Sequence, residues 1–125
     1  MGDHQRLVGR MHLPCGGMRQ LEHVLAVLPG AGLVWTLEEF QGIGPAPRGL
    51  SVPEFEQMAD DGFRFESWDE LTSFAAGLDQ TIWCRLVGTQ PGGSEPEVVV
   101  IAFDSSEWEV LVRPQHAGPV RALLA

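Results

Sequence analysis

The sequence predicts an α+β domain: a mostly antiparallel sheet of four or five strands with two or three helices packed against it. Three observations carry this expectation. Helix-start signatures stand at Ser51 and Ser67, each with a glutamate three residues on. Three apolar runs in the final third have strand length and composition. The last two runs are separated only by Asp104-Ser105-Ser106, the length of a hairpin loop, and a hairpin makes its strands antiparallel. A chain of 125 residues is one domain, residues 1–125. At that size folding buries roughly two thirds of the unfolded surface, enough for a self-sufficient core.

In chain order, residues 5–13, "QRLVGRMHL", suit a first strand, ended by Pro14 and Gly16-Gly17. Met18, Leu21, Val24, Leu25 and Leu28 then fall on one helical stripe that Pro29-Gly30 stops. Residues 32–40, "GLVWTLEEF", admit a short capped helix, but Gly42 and Gly44 would end it after a turn and a half. A strand is the better reading. Residues 42–49 are a loop.

Ser51 and Glu54 make a capping box, stapled by Leu50 and Phe55, and Pro53 is tolerated in the first turn. This helix reaches about Asp60, and Gly62 supplies a left-handed cap. Residues 63–66 read as an extended link. Ser67 and Glu70 open a third helix with Leu71, Phe74, Ala75 and Leu78 as its apolar stripe. Residues 81–88 are a strand and 89–97 a loop. Residues 98–103, "VVVIAF", are apolar on both faces, as a central strand is. Residues 107–112 alternate, with Trp108, Val110 and Val112 on one side. The C-terminal "PVRALLA" has room for one helical turn begun by Pro119.

Motifs that carry chemistry are scarce. Ser105 has Asp104 beside it, but no neighbouring base and no nucleophile elbow, so Asp104-Ser105-Ser106 reads as a turn. His12 and Cys15 lack the second ligand pair that a zinc site needs, and no metal or other cofactor is expected. "GIGPAPRG" lacks the Lys-Ser/Thr ending of a phosphate-binding loop. No enzyme activity is expected. Two cysteines do not make a disulfide framework. The N-terminal residues hold no apolar stretch of signal-peptide length, and Arg6 spoils the Met1-Gly2 start as an acylation signal. We therefore expect a cytoplasmic protein with two reduced thiols. No apolar run nears the ~20 residues that span a bilayer. Eight arginines with no lysine and no tyrosine suggest a GC-rich bacterial coding sequence.

Charge is the most uneven feature. The net −9 is concentrated in residues 51–110, which alone sum to −11. Such a field repels nucleic acid and anionic membranes and attracts basic proteins. Between Glu54 and Glu70 seven acids face Arg64 alone, interleaved with Phe63, Phe65 and Trp68. Aromatic anchors within a charged rim describe a protein interface; the competing reading puts those aromatics in the core and leaves the acids solvated. The first reading names Glu56, Asp60, Asp61, Asp69 and Glu70 as partner-binding acids and Trp68 as an anchor. Its rivals are a small-molecule binder or enzyme with a pocket lined by Trp35, Trp83 and Trp108, and an accessory domain with a structural role.

The hairpin "VVVIAFDSSEWEV" and the segment "SWDELTSFAAGLDQTIWCRLVG" resemble small stand-alone bacterial immunity proteins, the antidotes encoded beside polymorphic or contact-dependent toxins. The likeness covers mainly residues 63–112. It lies in general character, since such proteins are acidic, compact and α+β and end in a Trp-bearing hairpin. It assigns no individual residues. It implies a non-catalytic inhibitor that binds a toxin domain, often a basic nuclease, and covers its active site with acids that mimic substrate phosphates.

Overall fold

The computed structural model describes residues 4–125. Met1 and Gly2, read above for acylation, lie outside them. Six strands form one sheet: β1 Gln5–Arg10, β2 Val34–Ile43, β3 Phe63–Arg64, β4 Gln80–Thr89, β5 Pro96–Phe103 and β6 Glu107–Val112. Every pairing is antiparallel, in the order β1-β6-β5-β4-β2-β3. Four helices accompany it: α1 Leu21–Leu25, α2 Val52–Asp60, α3 Trp68–Ala76 and α4 Ala117–Leu124. The α+β class is as expected, with one strand and one helix more than the sequence suggested. The extra strand is two residues of the supposed link, which pair with Thr36 and Leu37. The extra helix is the C-terminal turn, extended to eight residues.

Two elements differ more. The stripe from Met18 to Leu28 is helical only over α1. Met18 is drawn instead into an isolated bridge with His12, and the chain after Leu25 tightens into three-residue turns. Conversely, β2 runs on through Gly42 to Ile43, and the loop starts only at Gly44. Gly42 suits the strand because a β-carbon there would stand 2.6 Å from the Phe40 ring.

The strands bury one face. Trp35, Leu37 and Phe40 of β2, Cys84 and Leu86 of β4, Val98, Val100 and Ala102 of β5, and Trp108, Val110 and Val112 of β6 all join the core. Leu21, Phe55, Leu71 and Val120 close it from the four helices. Five of the six phenylalanines gather on this side (Phe40, Phe55, Phe63, Phe65 and Phe74), with ring centroids 5.0–5.7 Å apart. Tilted and edge-on rings at that spacing add to their burial energy. Gly9 lets α4 lie against β1, since a β-carbon there would stand 2.6 Å from the Leu124 carbonyl oxygen. The opposite face carries no helix among the described residues, and Val8 and Phe103 on it are 39% and 54% exposed. No described helix is long and apolar enough to cross a membrane.

Candidate functional site

β3 pairs only with Thr36 and Leu37, so from Glu38 onward β2 is a free sheet edge. A bulge opens that stretch: Leu37 pairs with Leu86 and Glu39 with Arg85, which leaves Glu38 as the extra residue. Glu38 accepts a bond from Arg85 Nε at 2.9 Å, and Glu39 is exposed, with no ion pair among the described residues. Helix α2 packs along β2 because Ser51 fixes its start. The Ser51 hydroxyl accepts from the Glu54 amide while the Glu54 carboxylate accepts from the Ser51 amide, the predicted capping box. Phe55 and Ala59 face the core, which turns Glu56 and Asp60 toward the strand edge. Between helix and edge lies an open groove of about 380 Å³, lined by Glu39, Phe40, Gln41, Glu56, Asp60 and Trp83.

Three carboxylates thus converge on one groove, and no described arginine or histidine pairs with any of them. Glu56 and Asp60 stand four residues apart on α2, where like charges repel and weaken a helix by a few tenths of a kcal/mol, ~0.2–0.5. A bound cation group reverses that sign. Glu39 also acts inward: burial pushes the Cys84 thiol up to about 12, with the Glu39 charge adding to the effect.

The six predicted contact residues fall in two places. Glu56 and Asp60 line the groove, and exposed Asp61 follows at the end of α2. Trp68, Asp69 and Glu70 belong to the start of α3, outside it. Glu70 is neutralised: Arg48 Nε and Nη2 each donate to its carboxylate at 2.8 Å, and the Glu66 amide donates at 2.8 Å. These bonds hold its carboxyl below the usual range, Arg48 being the chief cause. The Glu70 side chain therefore does not complete the box expected with Ser67, whose hydroxyl still accepts from the Glu70 amide. Asp69 is exposed in the first turn, where the helix dipole favours an acid. Trp68 is packed, not projecting. Its ring lies 5.7 Å from that of Trp35 and over Gly30, where a β-carbon would approach it to 2.1 Å. Phe63 and Phe65 are core residues, 3% and 5% exposed.

The tryptophans expected to line one pocket are apart. Trp35 and Trp108 are buried, each indole donating to a backbone carbonyl, of Gly30 and Arg19. Trp83 is on the other side of the sheet, edge-on to Phe103. Asp104 and Ser105 are a turn, with left-handed φ of 50° and 58°. The Ser105 hydroxyl is bound by Gln80 Nε2 at 3.0 Å, and its carbonyl lies 3.0 Å from His12 Nε2. Among the described residues no three His, Cys, Asp or Glu groups are placed to hold a metal ion. Both cysteines are free, Cys15 exposed and Cys84 buried.

Sequence reasoning missed Glu39 and Gln41, and it grouped Trp83 with Trp35 and Trp108 where the structure sets it beside the groove. Glu38-Glu39 reads as an ordinary acidic pair because nothing local shows that β3 stops pairing at Leu37 and leaves this part of β2 a free edge. Compared with known proteins, the chain matches no family model, no curated sequence and no solved structure.

Proposed function

We propose that this protein is a non-catalytic binding protein whose acidic groove receives a cationic segment of a partner protein, and that it acts as the antidote of a basic toxin domain. The observation that carries the reading is the convergence of Glu39, Glu56 and Asp60, none of them ion-paired among the described residues, on an open sheet edge. Unpaired acids cost little in water and gain much when a partner's arginine or lysine displaces that water. The free edge of β2 adds backbone donors and acceptors beside the acids, so an extended basic segment can bond to both. Asp61 extends the negative field toward solvent. The resemblance to immunity proteins supplies the class of partner.

The test is capture from the source organism's lysate in low salt and in ~0.5 M salt, where exposed charges are screened beyond about 4 Å. The bait is the wild-type chain or the triple variant Glu39→Gln, Glu56→Gln, Asp60→Asn. We expect one cationic protein retained by the wild type, released by salt and lost with the triple variant. Co-expression with the chain should suppress that protein's toxicity. Equal capture by both baits, or a captured protein whose activity the chain leaves untouched, removes the reading.

A further inference from the structure

We propose that the face of the sheet that carries no helix among the described residues is a homodimer interface, formed by a two-fold axis that runs along β5. This inference shares Glu39 with the groove reading, but Glu56 and Asp60 are on α2 and not on this face.

Half-buried antiparallel strands normally alternate apolar inward and polar outward. β5 does not. Val98, Val100 and Ala102 face the core; on the other side Val99, in register with Val87 and Leu111, is only 4% exposed, Ile101 is half-buried and Phe103 is 54% exposed. The strands on either side place charge beside this apolar stripe in a definite order. The register aligns Val8, Glu109, Ile101, Arg85 and Glu39 in one row across the sheet. Arg6 and Arg10 flank Val8 along β1, and Glu107 precedes Glu109 along β6. Around the Ile101 row the outward charge therefore reads, from β1 to β2, positive, negative, none, positive, negative; Glu97 at the start of β5 is paired with Arg113 at 2.9 Å.

That sequence is its own complement about β5. A two-fold axis along β5 lays β5 on β5, β6 on β4 and β1 on β2 of the second copy. Glu109 then meets Arg85 of the second copy, and Glu39 of the second copy comes down between Arg6 and Arg10. Ile101 and Phe103 meet themselves. The other in-plane axis, across the strands, lays each strand on its own counterpart and sets like charge on like. The intrachain pairs fit the same packing. Arg6 bonds Glu109 and Arg85 bonds Glu38, which lays both arginine stems flat across neighbouring strands and keeps the face level.

Five strands about 4.8 Å apart and some six residues long span roughly 500 Å². That is less than the ~800 Å² each partner buries in a standard interface, so the dimer is weak and reversible. Glu39 and Trp83 border both this face and the groove. A cationic partner in the groove therefore competes with the second copy.

The experiment is sedimentation equilibrium on the full chain from ~10 μM to ~1 mM, a range that brackets a weak interface of this size. We expect a concentration-dependent monomer–dimer equilibrium. Phe103→Asp should weaken it at least about tenfold while leaving the melting temperature of the monomer unchanged. Glu56→Gln with Asp60→Asn should leave it intact, which separates this proposal from the groove reading. In a Cys15→Ser background, Phe103→Cys sits by the axis and should oxidise to a covalent dimer, whereas Val8→Cys, which faces Glu39 of the second copy, should not. A monomer throughout the range, a dimer indifferent to Phe103→Asp, or equal crosslinking from both positions would overturn the proposal. So would a monomer that loses a protein partner on Phe103→Asp, which would make the face a docking site for another protein.

Discussion

Thr81 is 1% exposed, and its hydroxyl reaches no hydrogen-bonding group among the described residues. A buried hydroxyl left unbonded costs about 1–3 kcal/mol. Thr81→Val keeps the β-branched shape that suits β4 and replaces that hydroxyl with a methyl group. We expect stabilisation by about 1 kcal/mol and a rise in Tm of about 3–5 °C by calorimetry. A fall in Tm would mean that the hydroxyl is held by an ordered water which the methyl expels. Thr81 looks like an ordinary strand residue in the sequence, because nothing local distinguishes a satisfied hydroxyl from an orphan. Asp104 and Ser105 are the opposite case. Their identities alone mark a turn, and both adopt the left-handed conformation that a tight hairpin requires. What the sequence withholds there is the docking of Ser105 onto Gln80 of the neighbouring β4, since the two residues are 25 positions apart in the chain.

At the scale of elements, capping chemistry was legible and edges were not. Ser51 and Ser67 start α2 and α3 as expected, because an N-cap is decided within four residues. The extent of β2, the pairing of β3 and the fate of Glu70 depend on chain far away, and local pattern misjudged each. Arg48 shows how. It sits in left-handed backbone at φ 58° in a 3-10 turn, pairs with Glu70, donates to the Arg64 carbonyl at 3.1 Å and lies 4.5 Å over the Phe63 ring. It thereby ties the loop before α2 to β3 and α3. Because Glu70 titrates below its ordinary 4.5 when folded, its contribution to stability is complete above that value and is lost as pH falls through the lower folded value. Arg48→Ala keeps the β-carbon and hence the backbone strain, and removes only the side chain's contacts. We expect a loss of about 1 kcal/mol at pH 7 by urea unfolding, as for a partly exposed charge-assisted pair. The gap between wild type and variant should narrow as pH drops from about 5 to 3. A gap independent of pH would assign the effect to the Phe63 contact instead.

Across the whole molecule, the sequence disclosed a lopsided charge but not its division. The acids of residues 51–70 divide: Glu56 and Asp60 of α2 line the groove, whereas Glu70 of α3 is tied down by Arg48, because the core aromatics turn the two helices to present different faces. Strand order was equally hidden: β1 joins the C-terminal hairpin, a pairing across about 100 residues that no window can register. Cys84 reports on how these distant pieces cohere. It lies in β4, paired with Phe40 on β2 and Ala102 on β5, so exposing it means parting the sheet on at least one side. Burial also keeps its thiol protonated, pushed up to about 12, so the closed sheet offers almost no thiolate and labelling reports only on opening. With a disulfide reagent at pH 8, one thiol, Cys15, should react at once in native buffer, and the second only as denaturant unfolds the chain. If the sheet and its helices form one cooperative unit, the free energy obtained from Cys84 labelling against urea should equal that of global unfolding. A smaller value would show that the β2 edge, with the groove upon it, opens ahead of the rest. Cys84 would then measure the stability of the site and not of the fold.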